Sequence, residues 1–172
     1  MSSTDQHTRQ QLVIAEASLV LRQGAVDRSR ERVSSLLSGL DDPTGPAAGA
    51  THRWPWLRGL SEMGIGRDDA AVEELAEASR RARAELGPLR PDLARIGAAL
   101  AIARGRAARG MPDGEAAALW RKVDPVLRSA FPAPHPMSRY LEGLGGPVRS
   151  ERDAIRMAAR APSRPLPDVF VP

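Results

Sequence analysis

The chain has 172 residues, which suits one domain with a substantial hydrophobic core. Aromatic residues make up 3% of it and cysteine is absent, so disulfides, thiolate metal sites and a cysteine nucleophile are excluded. All but one of the 25 basic residues are arginines, and they are interleaved with 21 acidic residues, which is typical of solvated helix faces rather than of a block that binds nucleic acid.

Apolar residues recur at helical spacing along most of the chain, and strict apolar–polar alternation is missing. The pattern predicts helices over about residues 6–22, 26–40, 51–64, 68–86, 91–109, 115–130, 137–144 and 149–160. Asp68 or Asp69 is expected to cap the fourth of these helices, and Pro125 is expected to kink or divide the sixth. Four prolines in residues 161–172 predict an extended tail, which is a disordered end, a linear motif for a partner, or a segment that folds back into a groove.

The loops and the helices repeat at a regular interval. Gly45-Pro46, Arg90-Pro91 and His135-Pro136 stand 45 residues apart, and a glycine turn falls between them each time. The second helix of each unit repeats its core residues, which are Val33 and Leu36, then Leu75 and Ala78, then Trp120 and Val123. Small residues lie midway along each first helix, at Ala17, Gly59 and Ala103, where the paired helix is expected to approach closely. This pattern indicates stacked helix pairs, each of which buries its apolar face against its neighbour.

The pattern resembles the tetratricopeptide repeat, in the long-loop variety found in kinesin light chains. The loops that carry the resemblance are Leu86-Gly87-Pro88-Leu89-Arg90-Pro91 and Phe131-Pro132-Ala133-Pro134-His135-Pro136. The resemblance covers roughly residues 8 to 160. It implies an all-α, right-handed solenoid of about three and a half antiparallel helix pairs over residues 1–160, followed by the proline-rich tail over 161–172.

The resemblance also implies that the first helix of each pair lines a concave face that binds a partner. The candidate partner-binding residues are Arg22, Arg53, Trp56, Leu60, Met63, Leu100, Arg104, Arg139 and Tyr140. A floor of aromatic and aliphatic side chains with several arginines would suit an acidic, partly apolar peptide. For Trp54 and Trp56 the alternative interpretation is core packing, because two residues that stand two apart point to different sides of a helix.

The function expected from these patterns is that of a non-enzymatic, cytoplasmic adaptor that binds a protein or peptide without a cofactor. No catalytic motif occurs, and His7, His52 and His135 have no spacing that suits a metal site. No apolar stretch approaches the roughly 20 residues of a membrane span, and the first residues lack the pattern of a signal peptide. One alternative is a ligand- or peptide-responsive regulatory module of a signalling system. Nucleic-acid binding through the arginines is a weaker alternative.

Overall fold

The computed structural model describes residues 51–87, 90–109, 111, 113–164, 166 and 168–172, together with Thr8, Leu12, Ala15 and Glu16. Those four residues are helical and exposed, and the rest of the predicted helices over 6–22 and 26–40 lies outside the described residues. The candidate residue Arg22 lies there as well. Within the described residues the fold is all-helical and contains no strand, which confirms the predicted fold class at that level.

Six helices follow one another from residue 53 onwards. They are α1 (Arg53–Gly64), α2 (Asp68–Leu86), α3 (Pro91–Ala107), α4 (Gly114–Ala130), α5 (Pro136–Leu144) and α6 (Glu151–Arg160). Two short 3-10 turns, Ala161–Ser163 and Asp168–Phe170, come after them. The predicted bounds of the six helices are confirmed to within two residues, because glycine and proline mark their ends.

Local side-chain contacts fix the starts of several helices. The Asp113 carboxylate accepts hydrogen bonds from two backbone amides of the first turn of α4, at 2.8 and 3.2 Å. Ser150 and Asp153 form a reciprocal capping box at the start of α6. The N-cap position of α2 is Arg67, whose side chain makes no capping hydrogen bond, so the prediction that Asp68 or Asp69 caps this helix is wrong and both lie in its first turn. Carboxylates in that turn are favourable because the backbone amides there carry the positive end of the helix dipole.

Pro125 lies inside α4, which continues through it as a single helix from Gly114 to Ala130. The expectation that Pro125 divides the helix is therefore not met. Proline removes one amide donor, so the carbonyl of Arg121 one turn earlier loses its usual partner. Arg121 is exposed, and solvent can take the place of that donor.

Helices that are adjacent in sequence pack against each other from α1 to α4. Gly59 of α1 faces Leu75 of α2 so closely that a Cβ on the glycine would lie 2.5 Å from Leu75 Cγ. Gly97 of α3 faces Val123 of α4 in the same way, since a Cβ on Gly97 would lie 2.7 Å from Val123 Cγ1. The prediction of a close approach at Gly59 is confirmed, and the repeated core residues Leu75, Ala78, Trp120 and Val123 are all buried.

The packing changes after α4. Helix α6 packs chiefly on α4 and also contacts α3, whereas α5 has a smaller contact with α4. Asp124 of α4 is buried and accepts hydrogen bonds from Arg128 Nε at 2.9 Å and from the Val148 amide at 3.0 Å. This carboxylate therefore ties α4 to the loop that leads into α6, and α6 covers the end of the helix stack. None of the helices in the described part of the chain is both long enough and apolar enough to span a membrane.

Candidate functional site

Helix α3 is the central helix of the described part of the chain and is buried on almost every side. Eleven of its 17 residues are buried, because it is flanked by α2 and α4 and is also contacted by α1, α6 and the two 3-10 turns. Its partly exposed side chains include Arg95 and Arg106. These two arginines share one helix face with Ala99 and Ile102, since the four positions follow the i, i+4, i+7, i+11 spacing. We call this face, together with Trp56 of α1 and Tyr140 of α5, the Arg95 face.

The Arg95 guanidinium holds the backbone of residues 169–171. Its Nη1 atom donates to the carbonyl of Val169 at 2.8 Å and to the carbonyl of Val171 at 3.3 Å. Its Nη2 atom donates to the Asp92 carboxylate at 2.5 Å, which fixes the direction of the fork. One side chain thus holds two alternate carbonyls of the segment. These hydrogen bonds are strong because their donor is charged.

An aromatic platform supports Arg95 from α1. The Arg95 Cζ atom lies 5.0 Å from the centroid of the Trp56 ring, a cation–π distance. The His52 ring lies on Trp56 with its centroid at 6.4 Å, and its Nδ1 atom is 2.6 Å from the Glu85 carboxylate of α2. Burial acts to raise the pKa of Glu85, but hydrogen bonds from Thr51 and His52 outweigh it and lower that pKa. Glu85 therefore holds His52, and the platform, in a defined position.

Phe170 is the side chain that residues 168–172 insert into the molecule. It is completely buried, and its ring meets Tyr140 of α5 edge to face, with centroids 5.5 Å apart and an interplanar angle of 80°. Burial raises the pKa of Tyr140 to about 12, although Arg106 and Arg164 act in the opposite direction. No described residue forms a hydrogen bond with the Tyr140 hydroxyl. The contact between the two rings is therefore apolar.

The other end of α3 holds the 3-10 turn 161–163. Pro162 packs on Gly105, where any Cβ would collide with its ring, and Arg106 Nε donates to the Pro162 carbonyl at 3.2 Å. Arg106 Nη1 also donates to the Met63 carbonyl of α1 at 3.3 Å. The turn 161–163 therefore contacts α3 at Arg106, and residues 169–171 contact it at Arg95. The two arginines stand about 16 Å apart along the helix axis, at the helical rise per residue.

Five of the predicted site residues, all with large side chains, lie in the core. Trp56, Leu60, Met63, Leu100 and Tyr140 are buried, at 0 to 8% exposure. Two of these, Trp56 and Tyr140, lie on the Arg95 face. Trp54 is buried as well, so core packing describes both tryptophans of α1.

The predicted arginines are separated in the structure. Arg53 is exposed at the start of α1, and Arg139 is exposed on α5 and donates to the Pro134 carbonyl at 3.2 Å. Arg104 forms an ion pair with Glu115 of α4, on the side of α3 where Gly97 meets Val123. Leu100 stands between Gly97 and Arg104 at helical spacing, so the α3 residues chosen from the sequence belong to the face that packs on α4.

Sequence reasoning did not select Arg95, Arg106 or Phe170. The helical spacing of Arg95 and Arg106 was a usable signal, because two arginines on one face of an otherwise apolar, Ala-rich helix mark the side where that helix meets polar groups. Phe170 offered a second signal. It is one of two phenylalanines in the chain and lies between two valines in a stretch that is otherwise rich in proline.

A second concave feature lies beside the 3-10 turn 161–163. It is a largely apolar cavity of about 460 Å³ between the end of α3, the start of α4 and α6. Met111 and Ile155 line it and are 73% and 46% exposed, and Pro162 and Arg106 line it as well. Its volume is within the range of small-ligand pockets, but few polar groups converge on it.

Within the described ranges, no group of three or more histidine or acidic side chains is arranged to hold a metal ion. No family model matches the chain, and comparisons with curated proteins and with solved structures found no match. The function is therefore inferred from the geometry of the Arg95 face.

Proposed function

We propose that this chain is a non-enzymatic adaptor of the tetratricopeptide type, which binds a protein or peptide partner on the Arg95 face. One observation carries the proposal: the face already holds a stretch of polypeptide. Arg95 binds the carbonyls of Val169 and Val171, and the side chain between them, Phe170, is buried against Tyr140. A buried aromatic anchor flanked by charge-assisted hydrogen bonds to backbone carbonyls supplies both an apolar and a polar contact for a peptide.

The arrangement of the helices supports the same proposal. The Arg95 face is made by α1, α3 and α5, which correspond to the first helices of the predicted pairs. The close approaches of Gly59 to Leu75 and of Gly97 to Val123 join these first helices to their second helices, as paired packing in a solenoid requires. The first helices then share a surface that is not used for pairing and that can hold a stretch of polypeptide, as it does for residues 169–171.

Charge favours a partner that carries acidic groups. Arg53 is exposed one turn before Trp56 on α1, and Arg95 and Arg106 are partly exposed on α3. Arginine binds carboxylates through paired, charge-assisted hydrogen bonds. A peptide with an apolar anchor and an acidic flank would therefore match both the aromatic and the basic parts of this surface.

Selection from a displayed library of random dodecapeptides tests the proposal. We expect the intact chain to enrich a set of related peptides. Their affinity should fall at least ten-fold in Arg95→Gln, because the charge-assisted bonds to the peptide backbone are worth about 1.5–3 kcal/mol. Arg156→Gln is the matched control, since Arg156 is half-exposed on α6 and pairs only weakly with Asp153, at 3.9 Å.

Both variants are first compared with the intact chain by thermal unfolding, so that a loss of binding is not confused with a loss of fold. Failure to enrich any peptide would contradict the proposal. Equal loss of affinity in Arg95→Gln and Arg156→Gln would also contradict it, because binding would then not depend on the Arg95 face.

A further inference from the structure

We propose that the 161–172 segment is a resident ligand of the Arg95 face and competes there with the partner. The partner is then a peptide with the same chemistry, an aromatic side chain between two apolar residues whose carbonyls accept from Arg95. This inference rests on the proposed function. It adds the class of partner, and it adds that the chain occupies its own binding site when no partner is bound.

The contacts of the segment are those of a bound peptide. The polar contacts described for residues 169–171 all come from the Arg95 guanidinium, and the side chain of Phe170 is their deepest apolar contact. The Arg164 amide donates to the Ala161 carbonyl of the adjacent 3-10 turn, and among the described residues no backbone amide–carbonyl hydrogen bond joins residues 168–171 to α1–α6. A second peptide can therefore replace each contact with an equivalent one, without breaking the backbone hydrogen bonds of a helix.

The way the segment is attached favours competition. The turn 161–163 is fixed on α3 through Pro162 and Arg106, and it stands only seven residues before Phe170 in the sequence. A segment tethered in this way faces its site at a high effective concentration. The intact chain should consequently bind a free peptide more weakly than a chain whose own segment is impaired.

A single tyrosine makes the occupancy measurable. Tyr140 is the only tyrosine in the chain and its ring meets that of Phe170 directly. Incorporation of 3-fluorotyrosine therefore gives one fluorine resonance, which reports on the presence of an aromatic ring at this site. Its chemical shift should change when Phe170 is removed and should return towards the original value when a peptide takes the place of Phe170.

The decisive experiment uses a fluorescent synthetic peptide with the sequence of residues 164–172. We expect Phe170→Ala in the full chain to bind this peptide at least ten-fold more tightly than the intact chain does. A peptide with alanine in place of its phenylalanine should bind both chains weakly. The matched control is Phe131→Ala, which removes the only other phenylalanine; its ring packs on His135 instead, and its loss should leave the affinity unchanged.

The inference is overturned if Phe170→Ala, shown to be folded by its thermal transition, binds the peptide no more tightly than the intact chain. It is also overturned if the intact chain forms a dimer that Phe170→Ala abolishes, because the segment would then belong to the site of a second copy. If Phe170→Ala fails to fold, hydrogen exchange of the intact chain decides. Saturating peptide should expose the amides of residues 169–171, and unchanged protection would overturn the inference.

The two proposals fail in different ways. If library peptides bind in an Arg95-dependent manner but Phe170→Ala does not raise the affinity, the adaptor function stands and the competition is refuted. If neither chain binds any peptide through Arg95, the adaptor function itself is refuted.

Discussion

Replacing Gly59 with alanine tests the close packing of the first described helix pair. The new Cβ would lie 2.5 Å from Leu75 Cγ, 2.9 Å from Leu75 Cδ2 and 3.2 Å from the Leu75 backbone nitrogen. Leu75 is completely buried and belongs to the core, so it has little room to move away. Either Leu75 leaves its rotamer or α1 and α2 move apart.

The expected magnitude is a balance of two effects. An added methyl group in a packed core costs about 1–3 kcal/mol, whereas alanine in place of glycine inside a helix contributes about 0.5–1 kcal/mol of stability. We therefore expect Gly59→Ala to lower the free energy of unfolding by about 1–2 kcal/mol. For a chain of this length that corresponds to a decrease of about 2–8 °C in melting temperature.

The measurement is urea unfolding followed by circular dichroism, with Gly114→Ala as the matched control. Gly114 has no other atom within 4 Å of the position of a new Cβ, so the same substitution there should leave the stability unchanged or slightly raised. In a Leu75→Ala background the cost of Gly59→Ala should shrink by about 1 kcal/mol, since the colliding side chain is gone. The close contact between α1 and α2 is refuted if Gly59→Ala is as stable as the intact chain, or if the two glycine substitutions are equally destabilising.

Two further predictions concern buried polar groups. Asp124→Ala removes the partner of Arg128 and of the Val148 amide, so it should lower the free energy of unfolding by about 2–3 kcal/mol in urea titrations; a loss no larger than that of an exposed aspartate would contradict this role. Tyr140→Phe removes a buried hydroxyl without a described partner and should raise the stability at neutral pH by about 1 kcal/mol. Because the pKa of Tyr140 is raised to about 12 from its ordinary value of 10.0, the unfolded state releases this proton at a lower pH than the folded state does, and the intact chain loses stability as the pH rises from 10 to 12. Unfolding measured across that range should show a steeper decline for the intact chain than for Tyr140→Phe, and parallel declines would be inconsistent with this assignment.

The adaptor function is an expectation from the sequence and stays a proposal. The repeated loops and glycine turns suggested helix pairs, the resemblance to the tetratricopeptide repeat implied a concave side, and the structure has packed neighbouring helices from α1 to α4. The sequence did not locate the surface, because Leu60, Met63 and Leu100 are buried outside the Arg95 face and Arg104 is paired with Glu115. Trp56 and Tyr140 are the two candidates that the structure brings to the Arg95 face.

Local chemistry in the sequence determined the helices. Glycines, prolines and capping carboxylates act within a few residues, so the bounds of α1 to α6 and the buried positions of α2 and α4 could be read from spacing alone. Helix α3 is different, because it is apolar on nearly all sides and its pattern does not indicate which side meets which neighbour. Only the tertiary structure decided that Gly97 faces α4 and that Arg95 faces the 161–172 segment. The physical reason is that Arg95 contacts carbonyls 74 and 76 residues away, and no local preference of the chain specifies such a contact.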